Sequence, residues 1–264
     1  MHRLLQLLSL LLLVSVSAHA DPVPDLYRAE TVVTGTEEPE RTRGFRVGLT
    51  DVVVKLTGDV RLADGEKLKP LLESPHHLVE WFEYEDRMKN LPVRDEQGTR
   101  QRPHFLRIRF NAAELDKALS GLGLAKWADD RPRLAVWLGV KTAISSFIVT
   151  TTARDYGQRV VIMETAQRRG IPVQLPEGDE SALGVTFDDV ATDQFAKMQS
   201  ASKGADAWLS GALSLTESGY WDITWRLHWK DKLHVWKNEG VSFDAALKDG
   251  LQTAALIFSG NMPM

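Results

Sequence analysis

Trp221, Trp225 and Trp229 fall at every fourth position of a stretch whose other apolar places are filled by Ile223 and Leu227. Asp222, Thr224, Arg226, His228 and Lys230 take the alternate positions, so the pattern repeats every two residues, the period of a half-buried strand. Three indoles on one side of a strand can stack on a sugar ring, which makes them a speculative glycan-binding set. They can equally pack beneath a helix. Alternation this regular favours the core reading, and the aromatic platform stands as its competitor.

Other chemistry-bearing residues are sparser. His76, His77, Glu80, Glu83 and His104 could gather near one end of a hairpin. A pair four apart such as His76 and Glu80 shares a metal only on a helix, and this stretch reads as a strand, so solvated side chains are the better reading. The chain has no HExxH, no GxSxG elbow, no SxxK and no phosphate-binding loop, and Gly121-Leu122-Gly123 does not extend to GxGxxG. Ser210-Gly211 lies inside an expected strand and reads as close packing. Asp129-Asp130-Arg131-Pro132 reads as exposed punctuation. No catalytic residue, no metal ligand and no cofactor site is assigned.

The N-terminus bears on compartment. Arg3 precedes an apolar run over residues 7–16, and Ala18-His19-Ala20 has the small–x–small pattern that signal peptidase cleaves after. A signal peptide over 1–20 is expected, with the mature chain starting at Asp21. The run is too short to span a bilayer, and no acylated Cys follows it, so no membrane anchor is expected. The periplasm is the simplest destination and full secretion the alternative. Lys and Arg number 32 against 36 Asp and Glu, a net charge of −4, and losing Arg3 makes it −5. Such a balance speaks against non-specific nucleic-acid binding. With 0 cysteines an exported chain has neither disulfides nor a thiolate nucleophile.

Two units are expected to position these residues, an N-terminal α+β unit over 21–126 and a C-terminal α/β unit over 131–264, with the join near 127–132. Each is a sheet with helices packed on it, so the fold class is α+β or α/β. Residues 26–34 read as a strand and 39–57 as a helix stopped by Gly58, with Gly44 and Gly48 allowing close approach to a sheet. A short helix follows over 65–73. Strands 77–86 and 104–110 form a hairpin with a polar tip over 90–103. In it Glu83 and Glu85 face Arg107 and Arg109 on the wet side, and Phe82 and Tyr84 lie over the core. Asn111 caps the next helix, with Glu114 three residues on and Leu115, Leu119 and Leu122 inward.

The second unit opens on a strand, 134–140, apolar enough to be buried on both faces. Residues 146–152 are strand or loop. A helix over 156–169, a strand over 171–175, a polar loop over 177–181 leading through a short β-like stretch, and a helix over 188–203 follow. Strands over 205–215, 220–230 and 233–238 and a terminal helix over 242–258 complete the chain.

Several segments together resemble an uncharacterised family of bacterial envelope proteins, the domain of unknown function (DUF) twenty sixty-six. They are Arg43-Gly44-Phe45, Val53-Val54-Lys55-Leu56-Thr57-Gly58, the stretch Arg131-Pro132-Arg133-Leu134 through Leu138, and Arg169-Gly170-Ile171-Pro172 through Pro176. Gly204-Ala205-Asp206 through Gly211, and Gly219-Tyr220-Trp221 leading to Trp225, complete the likeness. The resemblance implies an envelope location and brings no activity, so no catalytic residue is carried over. Ala212 stands where a basic residue would be expected. The architecture is also similar to small α/β domains of periplasmic assembly factors, which is analogy of fold alone.

The resulting expectation is a non-enzymatic exported protein that binds a protein partner in envelope assembly or maintenance. Glycan binding or cleavage through the tryptophan strand is the alternative. The oligomeric state is left open.

Overall fold

The computed structural model describes residues 25–90, 101–152, 156–178 and 180–262. The leader expected over 1–20 and most of the polar tip expected over 90–103 lie outside the described residues. Mixed α/β architecture is present in two sheets, one of three strands and one of six.

In the first unit β1 (Arg28–Thr34), β2 (Val79–Asp86) and β3 (Pro103–Phe110) form an antiparallel sheet in the order β1-β3-β2. Helix α1 (Glu38–Thr57) lies across one face. A Cβ at Gly44 would stand 2.5 Å from Leu106 Cδ2, and one at Gly48 would stand 2.7 Å from Ile108 Cδ1. Those glycines therefore let the helix backbone settle onto β1 and β3, as their spacing suggests. The short helix expected over 65–73 is a 3₁₀ turn followed by α2 (Lys69–Glu73). A further 3₁₀ turn, Pro75–Leu78, takes the first residues of the expected 77–86 strand. Asn111 caps α3 (Ala112–Gly121) by accepting from the Glu114 N–H at 3.1 Å, and Leu115 and Leu119 are buried against α1 and the sheet.

The second sheet runs in the order β5 (Ser146–Ile148), β4 (Leu134–Lys141), β7 (Ala207–Leu215), β8 (Trp221–Trp229), β9 (Lys232–Val241), with β6 (Val173–Gln174) beside β4. β4 is parallel to β7, and β8 and β9 continue as an antiparallel meander. β4 is buried on both sides, as its unbroken apolar run predicts. Val136, Leu138 and Val140 join the core under α4 (Tyr156–Arg169) and α8 (Phe243–Phe258), while Ala135 and Trp137 join a smaller core on the other face.

Residues 146–152, left open between strand and loop, are a three-residue strand, β5 (Ser146–Ile148), followed by loop. Two expectations are corrected here. The polar loop over 177–181 runs into a short helix, α5 (Glu180–Leu183), and the β-like stretch expected after it is not a strand among the described residues. The single helix expected over 188–203 is two helices, α6 (Phe187–Ala191) and α7 (Phe195–Ala201). The break is at Asp193, whose φ of 58° is left-handed and cannot continue a right-handed helix. Its carboxylate is held by His228 of β8, a contact no local pattern announces.

Arg131 joins the two units. Its guanidinium donates to the carbonyls of Ala128 (3.1 Å), Arg169 (3.1 Å) and Lys55 (3.0 Å), and it stacks 3.6 Å above the Trp127 ring. The last two carbonyls end α4 and α1, so one cation satisfies orphan acceptors at two helix C-termini. Burial pushes the Arg131 pKa down to about 10. At the same junction Asn261 Nδ2 donates to Thr57 O at 2.8 Å, tying the chain after α8 to the end of α1.

Candidate functional site

The outward face of the small sheet is a grid. Cross-strand pairing sets Val32–Phe105–Glu85, Glu30–Arg107–Glu83 and Arg28–Arg109–Trp81 in three successive rows. Arg107, at the centre, bonds Glu30 (2.9 Å), Glu83 (3.3 Å) and Glu85 (2.6 Å). Those carboxylates raise its pKa, and Arg107 in turn lowers that of Glu85. Arg109 pairs with Glu80 (3.2 Å) and Asp25 (3.4 Å). Trp81 is 43% exposed and Val32 44% exposed, so apolar surface borders the ionic centre. The expected acidic–basic face is thus present, with Arg107 drawing a third glutamate from β1.

The aromatic part of that hairpin expectation needs correction. Tyr84 is half-buried and Phe82 is 40% exposed. Both rings lie on the α1 side of the sheet, but β2 is an edge strand and the helix covers it only partly. Phe82 meets Phe45 edge-on at 5.3 Å, and Tyr84 donates to Thr36 O at 3.3 Å.

A groove of about 540 Å³ runs from this face around β1 to α4 of the second unit. Asp51 and Lys55 of α1 form its floor, and Glu164, Gln167 and Arg168 of α4 its far wall. Arg168 reaches Asp51 at 3.7 Å. Lys55 Nζ donates to the Arg28 carbonyl at 2.6 Å. Burial pushes the Lys55 pKa down to about 8, with Arg131 and Arg169 adding repulsion and Asp51 and Asp25 opposing it. Burial also lowers the pKa of Arg169, whose Nε and Nη1 are buried without a hydrogen-bond partner among the described residues.

A second polar cluster sits on the large sheet. His228 Nε2 lies 3.0 and 3.1 Å from the two Asp193 carboxylate oxygens, and its ring stacks on Phe195 at 3.8 Å. Arg226, two residues away on β8, reaches the Val190 carbonyl at 3.4 Å. These contacts seat α6 and α7 on β8.

The tryptophan set is placed inward. Trp225 is 1% exposed and donates through Nε1 to Ala246 O at 3.1 Å. Cβ atoms at Gly211 and Gly250 would approach its ring to 2.4 and 2.5 Å, so the indole fills a slot between β7 and α8. Trp221 and Trp229 are half-buried, edge-on to Phe243 (5.6 Å) and Phe258 (5.0 Å). A ring sealed like Trp225 offers no face to a sugar, so the three do not form an open platform. Ser210 is buried beside Gly211, consistent with close packing.

The histidine–carboxylate set is dispersed. His76 Nε2 lies 3.7 Å from Glu38, Glu80 and Glu83 belong to the arginines of β3, and His104 Nδ1 meets Arg102 O at 2.8 Å. Among the described residues no three His, Asp or Glu side chains are placed to hold a metal ion, and no helix is long and apolar enough to cross a membrane.

Sequence reasoning passed over Trp81 and Lys55, and it expected Arg131 to be exposed at the join, whereas Arg131 is 4% exposed. Parity offered a signal for the first, since Trp81 shares the face of Glu83. A lysine inside Val52-Val53-Val54-Lys55-Leu56 was a signal for the second. The burial of Arg131 had none, because two of its three acceptors lie 38 and 76 residues away.

The groove's sheet and its α1 floor lie within a stretch that matches a known family. Residues 20–128 match a family described as a domain of unknown function, DUF8605. The match covers the first unit and less than half of the chain. It is a different family from domain of unknown function twenty sixty-six, so the resemblance to that envelope family is overturned. The segments behind that resemblance have ordinary structural causes. Gly58 and Gly170 take left-handed φ values of 72° and 64° after α1 and α4, and residues 134–138 belong to a strand buried on both faces. Such features recur wherever the same local geometry does. No curated protein matches the chain.

Proposed function

We propose that this chain is an exported, non-enzymatic binding protein that holds a protein partner in the groove between β1 and α4. One observation carries the reading. The small sheet has α1 on one face, whereas its other face presents Trp81 and Val32 beside the Arg107 network and opens into the groove. Grooves at the junction of two rigid units are favoured places for recognition. The composition of residues 1–20 supports export to the periplasm, and a partner in envelope assembly or maintenance follows from that location.

The test is site-specific photo-crosslinking in intact cells, with the photoreactive residue at Val32 or, as control, at Ser218 in the β7–β8 turn. A single discrete protein adduct from Val32, absent from Ser218, is the expected result. An identical smear from both positions would remove the groove from consideration. Mass measurement of the periplasmic protein checks export, and an intact leader on cytoplasmic protein would refute it.

A further inference from the structure

We propose that the free edge of β1 takes an extended, basic segment of the partner as an added strand, an inference resting on the binding reading above. The ladder fixes which backbone groups are free. Tyr27 O accepts from Phe110 N at 3.0 Å and Gly35 N donates to Arg102 O at 2.8 Å, so the odd-numbered residues of β1 turn their N–H and C=O groups toward β3. The even-numbered residues turn theirs away.

Most of that edge is stoppered by the chain itself. Arg28 N–H bonds Asp25 O at 3.2 Å, and Arg28 O accepts from Lys55 Nζ. Val32 O accepts from Arg43 Nη2 at 3.3 Å, and Thr34 N–H donates to Glu40 Oε2 at 3.2 Å. Side chains used in this way are a familiar means of blocking uncontrolled edge pairing. Between the two sets of stoppers, Glu30 N–H, Glu30 C=O and Val32 N–H have no partner among the described residues. They form a donor–acceptor–donor run facing the groove. An incoming strand lies about 4.8 Å from its neighbour, and α4 stands across the groove as its outer wall.

Charge selects the occupant. Of the groove's cations, Arg107 is held by three carboxylates, Arg28 pairs with Asp25 at 2.9 Å, Arg168 reaches Asp51 and Lys55 donates to the Arg28 carbonyl. That leaves Glu164 on the far wall as the lining carboxylate with no cation within ion-pair distance among the described residues. The exposed Trp81 indole adds a face for a cation. A strand with Lys or Arg at alternate positions satisfies these groups. A second copy of this chain would set one Glu30-bearing edge against another.

Fluorescence polarisation with a labelled acetyl-(Lys-Val)4-amide peptide and the full mature chain provides the test. Three further probes are its (Glu-Val)4 counterpart and two forms N-methylated at all Lys or at all Val. Saturable binding of the lysine peptide is expected, with loss of at least about tenfold in one N-methylated form and no binding of the glutamate peptide. Val32→Pro deletes an outward N–H without entering the ladder to β3, so it should weaken binding at least about tenfold while the fold is kept. The N-methylated peptides decide the matter if that variant misfolds. Equal binding of both N-methylated forms, equal binding of the glutamate peptide, or no saturation below about 1 mM would each overturn strand addition. A discrete Val32 adduct in cells alongside any of those results would leave the binding reading standing and remove the added strand alone.

Discussion

The two sheets are built from similar strands and treat their faces in opposite ways. The six-stranded sheet is covered on both sides along β4, with Val136 and Leu138 under α4 and α8 and Trp137 facing the smaller core near α6 and α7. Among the described residues the three-stranded sheet is covered on one side only, and its other side is an ionic grid bordered by Trp81 and Val32. Burial on two faces commits side chains to packing, where a change of one methylene is felt. A face left to water keeps its side chains available, and ion pairs there set register more than stability. The contrast separates a packed support from the face to which we assign partner binding.

Trp225→Ala would break that contrast hardest. Emptying the slot between Gly211 and Gly250 should cost about 3–5 kcal/mol, read from chemical denaturation, without altering the Val32 crosslink in whatever protein remains folded. A loss below about 1 kcal/mol would mean that the large sheet does not depend on this ring.

The Lys55 amine sharpens the boundary between the two regions. Its pKa falls from 10.5 in the unfolded chain to about 8 in the fold, so between those values the unfolded state binds a proton that the folded state has released. Stability attributable to Lys55 should therefore rise as pH climbs from about 8 to 10.5, by at most about 3 kcal/mol. Below pH 8 both states carry the proton and the full cost of burying the charge is present. Unfolding of the wild type and Lys55→Met across this window should show the rise in the former and a flatter profile in the latter. Parallel profiles would contradict it.

Arg131→Met tests whether the two regions unfold together. Three carbonyls lose their donor, and a loss of about 2–3 kcal/mol is expected, with the single denaturation transition broadening or splitting. An unchanged, sharp transition would show that the units are coupled elsewhere. Trp81→Ala should have the smallest effect on folding, under about 1 kcal/mol. It should nonetheless weaken crosslinking from Val32, and unaltered crosslinking would take Trp81 out of the recognition surface.

The legible parts of this fold were those whose causes are local. Gly44 and Gly48 announced a close helix–sheet contact, Asn111 a helix start, and residues 134–140 a strand without a wet face. The alternation of Glu83 and Glu85 against Arg107 predicted the ionic face. The split of the helix expected over 188–203 was hidden because Asp193 turns left-handed in concert with His228, 35 residues later. The groove was hidden for the same reason. Its wall, α4, comes more than a hundred residues after β1.

Sequence alone therefore determined the elements whose causes are local and the side on which the indoles of β8 fall, since these follow from periods of 2 and 3.6 residues and from capping chemistry. Only the tertiary structure decided that Arg131 closes two helix ends, that Lys55 is buried while bonded to Arg28, and that Glu30 and Val32 keep open backbone groups beside α4. Those properties depend on the distance between segments remote in the chain, and no local pattern carries that distance.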